Sequence, residues 1–347
     1  MYYMMYLLPA FVALLYAGKP SIRVKRGSWV LVAFIYILLI GLRMSGGDWY
    51  NYLRRFEQMA YLTLDQALAI KDPGYQLISY YMYHWDLGFF AVTLIAAVIS
   101  VSGLFIFLRS QINPWIGLAV SVPYLIIVVY MGYMRQGIAL GLIMWGIVAL
   151  ERGRFYRFLA FVALAVTFHK SAILMIAFGI FSQGKGKLLK FFGVLAAGAG
   201  VWSSFVSSGA DALITNYVDA QMQSSGAVIR VLLNAVPAVL LLVYRKEWKR
   251  SFSDYTFWFM ISLASLAAIG LVSFASTAVD RMALYFLPLQ LVVFSRLPYL
   301  ARKKVSPKVT TVLIILFYLL IFSVWLNFAA NVRFWLPYRN FLWADLF

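Results

Sequence analysis

The chain has 347 residues, of which 64% are hydrophobic and only 12% charged, against roughly 25% charged in soluble domains. No water-soluble globule could hide that much apolar surface, so that class is excluded. A net charge of +18 raises nucleic-acid binding, but the basic residues cluster in short segments between apolar runs and read instead as cytoplasmic loops in contact with anionic lipid. The absence of cysteine excludes disulfides, thiolate metal sites and thiol nucleophiles.

In chain order, the first apolar run, 1–17, lacks a preceding basic region and a small-residue cleavage site, so it is expected to remain as a helix. Later runs such as 29–42, 88–108, 115–131 and 309–330 approach or exceed the ~20 residues that cross a bilayer. Between them lie five basic clusters: Lys19 to Arg26, Arg152 to Arg157, Lys185 to Lys190, Arg245 to Arg250, and Arg302 to Lys308. Requiring an even number of crossings between clusters predicts an all-α, polytopic membrane protein of about 12 transmembrane helices. It is read as one membrane domain over 1–347 with both termini outside. The stretch from Arg154 to Ser182 then has to hold two short helices turning near His169, because a single crossing would put the Lys185 cluster outside.

External loops are expected at 43–85 and 209–226, with an external tail over 331–347. The first loop reads as a polar turn, an amphipathic stretch over 51–68, a break at Asp72-Pro73-Gly74 and an interfacial aromatic helix over 75–85. On this topology nine of the acids are external, and only Glu151, Glu247 and Asp254 are cytoplasmic.

Ionisable groups in or bordering membrane helices are costly and mark functional sites by default. Arg43, Asp48, Arg135, His169, Lys170, Asp280 and Arg281 all sit at predicted external helix ends, embedded in apolar sequence. Arg135 and Arg281, together with Arg43, offer planar donor forks suited to a diphosphate. Each also reads as a snorkelling arginine, and Arg281 as a partner for Asp280. His169 has Lys170 as its one titratable neighbour, and an imidazole near neutrality can take a proton from a sugar hydroxyl. A packing histidine is the alternative. Asp48 follows Gly46-Gly47, which permit a tight turn; it reads as a second candidate base, a ligand for sugar hydroxyls, or a plain turn aspartate.

His84, among Tyr80, Tyr81, Tyr83 and Trp85, reads as part of an aromatic belt, and Asp72 first of all as a turn signal. Trp49, Tyr50, Tyr52, Tyr75 and Trp335 could stack on sugar faces or anchor the interface. There is no P-loop, no dinucleotide fingerprint, no zinc-ligand spacing and no Asp-x-Asp pair in a cytoplasmic loop. No cofactor or metal is therefore expected. An external site has no supply of nucleotide sugar, so the energy for synthesis would have to arrive in the substrate, as in a lipid-diphosphate glycan.

Five segments carry a resemblance. They are Arg43 with Gly47-Asp48-Trp49-Tyr50-Asn51-Tyr52; Asp72-Pro73-Gly74-Tyr75; Met134-Arg135-Gln136-Gly137-Ile138-Ala139; Phe168-His169-Lys170-Ser171-Ala172; and Asp280-Arg281-Met282-Ala283-Leu284-Tyr285-Phe286. In this order and over 43–286 the chain resembles the EpsG/Wzy group of bacterial exopolysaccharide and O-antigen polymerases. It departs from the group at Asp72, where glutamate is commoner. The first helix, 209–226 and the tail after Arg333 carry little of the likeness.

The resemblance implies a metal-independent membrane glycosyltransferase of the bacterial cytoplasmic membrane, with its site facing the periplasm. Donor and acceptor would be undecaprenyl-diphosphate-linked oligosaccharides, membrane lipid would surround it, and a chain-length regulator is an open partner. Arg135, Arg281 and Arg43 would hold the diphosphate, with His169 the first choice of base and Asp48 the second. Tyr52, Asp72, Tyr75, Gln136 and Tyr285 would contact substrate. A glycan ligase and a lipid-oligosaccharide flippase are the rival readings.

Overall fold

The structure is a computed structural model that describes residues 1–19, 21–182, 227–274 and 276–346. The basic cluster at Lys185 to Lys190 and the expected loop 209–226 lie outside the described residues. Among those residues the chain is helical, without strands, apart from one isolated bridge between Arg43 and Asn340. Its contacts divide into two compact units, Met1–Ile173 with Leu291–Phe347, and Leu174–Gln290.

The first unit opens with α1 (Tyr2–Leu15) and α2 (Arg26–Gly41), followed by short pieces whose ends follow local chemistry. After α3 (Trp49–Glu57) and a 3₁₀ turn, α4 (Leu64–Ala69) begins at a capping box in which Thr63 and Gln66 satisfy each other's backbone N–H groups. Proline at the first helical position starts α5 (Pro73–His84). The long helix α6 (Gly88–Arg109) follows, then α7 (Pro114–Ser121), where Asn113 caps the N–H of Ile116. A π-helical stretch, Val122–Tyr130, continues α7 and leads to α8 (Met134–Glu151) and α9 (Phe155–Phe168).

Small residues let α6 and α8 cross closely: a Cβ on Gly103 would stand 2.1 Å from the Gly141 carbonyl oxygen. Such contacts replace the missing hydrophobic drive between helices in lipid. Three aromatic polar ends in the first unit are satisfied by backbone carbonyls. Trp29 Nε1 donates to the Phe105 carbonyl at 2.9 Å, Tyr36 to Met5 at 2.6 Å and Tyr6 to Ile315 at 2.6 Å.

The unit has two distinct ends. Gly18 lies against the Lys308 side chain, and the Ile22 N–H donates to the Ile112 carbonyl, so the loops after α1, after α6 and before α16 (Pro307–Phe328) share one end. That end carries Lys19, Lys25, Arg26 and Arg302 to Lys308. At the other end, Thr93 near the start of α6 donates to the Gly41 carbonyl, and Tyr2 donates to that of Trp335. The expected pieces of 43–85 lie here as α3, α4 and α5, close to where the sequence punctuation puts them.

The second unit contains α10 (Leu174–Ser182), α11 (Ala227–Val243), α12 (Arg245–Ser251), α13 (Tyr255–Leu271) and α14 (Ser276–Ala283). A 3₁₀ turn joins α14 to α15 (Leu287–Leu300), which leads the chain back into the first unit. Among the described residues, four helices are long and apolar enough to cross a membrane: Gly88–Arg109, Met134–Glu151, Ser276–Leu300 and Pro307–Phe328. The pair α11 and α12, bent by 75°, makes a fifth if counted as one span, and six shorter apolar helices accompany them. The protein is therefore a helical membrane protein. Among the described residues these long and shorter apolar helices are the candidates for the crossings expected, and two of the shorter ones contain a π or 3₁₀ segment. The break near His169 is present: α9 ends at Phe168, His169 is extended (φ −160°, ψ 119°), and a 3₁₀ turn over Lys170–Ile173 precedes α10.

Candidate functional site

The candidate residues of the first unit gather at its less basic end. Asp72, the residue before α5, has φ 64° and ψ 65°, a left-handed conformation that aspartate tolerates better than most residues but still at some cost. The turn directs its carboxylate to the start of α8, where Arg135 Nη1 donates to Asp72 Oδ2 at 2.5 Å. The Asp72 side chain is only 9% exposed, whereas Arg135 keeps 24%, so part of the guanidinium remains open. Its carbon also lies 5.8 Å from the centre of the Tyr52 ring, and Tyr52 packs on Tyr75 at 5.5 Å.

Burial pushes the Asp72 carboxyl above the ordinary carboxylate range, while Arg135 most of all, then Lys170 and Lys71, pull against that shift. Lys170 belongs here because α5 packs on α9. A Cβ on Gly74 would stand 2.5 Å from Thr167 Oγ1 and 3.2 Å from the Phe168 ring, two and one residues short of His169. His169 itself is half-buried. On the two helices that carry the ion pair, two buried polar atoms lack a hydrogen-bond partner: Gln76 Oε1 on α5 and Gln136 Nε2 on α8. Buried polar groups normally find partners, so these are an acceptor and a donor in want of a ligand or water.

Two expected site residues take different places. Arg43 is 1% exposed, and its fork binds backbone: Nε and Nη2 donate to the Met131 carbonyl at 3.0 and 2.5 Å, and Nη1 to Ile40 at 2.6 Å. All three nitrogens of this fork therefore have main-chain partners, which favours a scaffold role over diphosphate binding. Trp335, considered as a sugar platform, is 3% exposed and donates Nε1 to the Ile127 carbonyl at 3.0 Å. Asp48 is half-buried before α3, and its carboxylate accepts from Asn51 Nδ2 at 3.3 Å.

In the second unit, Asp280 is held by a residue the sequence reading passed over. Arg230 Nε and Nη2 donate to Asp280 Oδ1 and Oδ2, each at 2.6 Å. Below this pair, Asn234 donates to the Ala283 carbonyl at 2.9 Å and accepts from Gln290 at 2.7 Å. An arginine inside the apolar run of α11 is the signal that would have found it. Arg281 stands exposed, one residue along α14, and Tyr285 is 1% exposed in the 3₁₀ turn after it.

Comparison with known proteins returns one positive finding, a match of the EpsG family model to residues 28–340. No curated protein and no solved structure matches the chain. The match reaches Asn340, seven residues beyond Arg333. The five motif segments lie inside the match, on a helical membrane scaffold, and the chain belongs to the EpsG family of EpsG/Wzy-type polymerases, whose functions relate to exopolysaccharide and O-antigen synthesis.

Proposed function

We propose that the protein polymerises undecaprenyl-diphosphate-linked oligosaccharide repeat units at the periplasmic face of the bacterial cytoplasmic membrane. The observation that carries this reading is the partly open guanidinium of Arg135. It is oriented by Asp72 and Tyr52 at the end of the first unit opposite the basic loops. If those loops are cytoplasmic, the site faces outward, where an activated lipid-linked donor is the available source of energy. The count of about twelve crossings, with both termini outside, is part of the same proposal.

In this mechanism a hydroxyl oxygen of the acceptor sugar bonds to the anomeric carbon of the donor. The bond from that carbon to the diphosphate oxygen breaks, and the polyprenyl diphosphate leaves with the electron pair. Arg135 stabilises the charge that develops on the leaving group without a metal. His169 receives the hydroxyl proton, with Asp48 the alternative acceptor. Tyr52, Tyr75 and Gln136 contact the substrate beside Arg135. Arg281 and Tyr285 are the second unit's candidates for phosphate and substrate contact, and Arg43 is assigned to the scaffold.

The test is purified protein in lipid bilayers supplied with an undecaprenyl-diphosphate repeat unit. A ladder of products supports the polymerase. Transfer to lipid A without a ladder would assign a ligase, and translocation across the bilayer without new glycosidic bonds a flippase.

A further inference from the structure

Trp335 lies where two glycine-bearing segments of the first unit meet. A Cβ on Gly47 would stand 2.6 Å from Trp335 Cη2, and one on Gly132 3.0 Å from Cζ2, so neither position has room for a side chain beside the ring as it sits. Gly47 immediately precedes Asp48, and Gly132 comes three residues before Arg135. The benzo edge of one indole therefore touches both approaches to the candidate site.

The ring is held on several sides. Nε1 donates to the Ile127 carbonyl at 3.0 Å, the Trp335 carbonyl accepts from the Tyr2 hydroxyl at 3.0 Å, and Trp325 meets the ring edge-on at 5.4 Å. The tail around it is fastened to the same loop. The Gly46 N–H donates to Phe334 at 2.8 Å, Met44 to Arg339 at 2.9 Å, and the Phe341 N–H to Leu42 at 2.8 Å. Indole is rigid, with two side-chain torsions, and here both its apolar body and its N–H are engaged.

We propose that Trp335 is a positioning residue, the spacer that sets the separation between the Asp48 turn and the end of α8 that carries Arg135. The chemistry of those two residues rests on the function proposed above, whereas the spacing does not. Removing the ring leaves a gap that both glycine segments are free to enter. A misplacement on the order of 1 Å costs about 10²-fold in turnover when reacting groups must meet in a narrow geometry.

The chain has no cysteine, so nitroxide labels can be attached at Tyr50→Cys and Tyr133→Cys alone and the distance between them measured by pulsed electron resonance. Trp335→Ala should shift or broaden the distance distribution, and Trp335→Phe should preserve most of it. Gly47→Ala should shift it in the parent and less so in Trp335→Phe, where the smaller ring relieves the clash. In the bilayer assay, Trp335→Ala should lower kcat per folded molecule by about 10²-fold with little change in donor KM.

An unchanged distribution in Trp335→Ala overturns the proposal, as does a shifted one with normal kcat in a protein whose parent makes a ladder. A parent that makes no ladder refutes the polymerase reading alone, and the distances still decide the spacer. Should Trp335→Ala fail to fold, the Gly47→Ala comparison decides: no relief of the shift by Trp335→Phe sinks the idea.

Discussion

Asp72 and Arg135, 63 residues apart in the chain, meet in a 2.5 Å ion pair that joins the turn before α5 to the first turn of α8. The pair uses one guanidinium nitrogen and leaves the side chain partly exposed. A planar fork held at one corner keeps its remaining N–H groups in a fixed plane, and that is the geometry a phosphate oxygen needs. Tyr52 against the ring face limits the other direction of movement.

The first expected outcome concerns pH. Asp72 is pushed up by burial, against the pull of Arg135, Lys170 and Lys71, with Tyr52 and Tyr75 as the other titratable groups beside Arg135. The folded chain therefore holds this proton more tightly than the unfolded chain does. The resulting contribution to stability is greatest at low pH and is lost as pH rises through the folded-state value. The ion pair itself needs the carboxylate ionised, so it should fail on the acid side at a pH above the ordinary ~3.9 of aspartate. A pH profile of single-turnover rate should show an acid limb in that displaced position. Asp72→Asn should lack it, and an identical limb in that variant would assign it to another group.

Arg135 and Arg43 are expected to separate activity from stability. Arg135→Ala should lower turnover by about 10²-fold or more, with folded yield preserved, and Arg135→Lys should rescue poorly because it has no second donor in plane. Arg43→Lys should instead reduce the amount of folded protein, because a single ammonium does not reproduce the planar fork that reaches both the Met131 and Ile40 carbonyls, and each charged hydrogen bond lost is worth about 1.5–3 kcal/mol. Thermal unfolding in detergent and specific activity per folded molecule distinguish the two. Normal stability with lost donor binding in Arg43→Lys would return that residue to the diphosphate.

For the second unit, Asp280→Ala should be strongly destabilising because it removes both carboxylate oxygens from the Arg230 fork. Exchanging the pair, Arg230→Asp with Asp280→Arg, should recover part of the loss in folded yield. Arg281→Ala should fold normally and lose polymer. Full activity in Arg281→Lys would remove it from the phosphate-binding set.

The parts of this fold that were legible in the sequence are those fixed by neighbouring residues. Asp72-Pro73-Gly74 and the Gly46-Gly47 turn mark the pieces of 43–85 because prolines and glycines act within a few residues, whereas the Thr63 and Gln66 cap that divides the expected 51–68 stretch went unread. Charge parity called for two short helices turning near His169, and a helix break stands at that position. Contacts between distant segments were not: nothing near Asp72 announces Arg135. Asp280 looked paired with its neighbour Arg281, yet adjacent positions on a helix do not face each other, and the bidentate partner comes from 50 residues away. Arg43 was ambiguous for a different reason. A lone arginine in apolar sequence reads the same whether its acceptors are phosphate oxygens or main-chain carbonyls.

Orientation can be checked with exposed positions of the first unit. Single cysteines at Tyr61, 88% exposed at the candidate-site end, and at Tyr156, 80% exposed beside the Arg152 to Arg157 cluster, are suitable. In intact cells an impermeant thiol reagent should label Tyr61→Cys and not Tyr156→Cys, with Ser306→Cys as a second protected position. The reverse pattern would place the site in the cytoplasm and remove the argument for a lipid-linked donor.

The last expected outcome concerns the base. His169 sits at a helix break, half-buried and two residues beyond the Thr167 side chain that packs on Gly74, so it borders the Asp72 turn. Asp48 lies in the turn that Trp335 supports, with Asn51 as hydrogen-bond donor to its carboxylate. A histidine that only packs should tolerate glutamine, which roughly keeps its size and hydrogen bonding. A base replaced by a group that cannot take the proton should lose about 10²-fold or more in turnover. The expectation is that His169→Gln retains donor-lipid binding and is nearly inactive, whereas Asp48→Asn is impaired chiefly in KM for the acceptor glycan. Near-normal polymer from His169→Gln, together with an Asp48→Asn that binds both substrates and makes none, would transfer the role of base to Asp48.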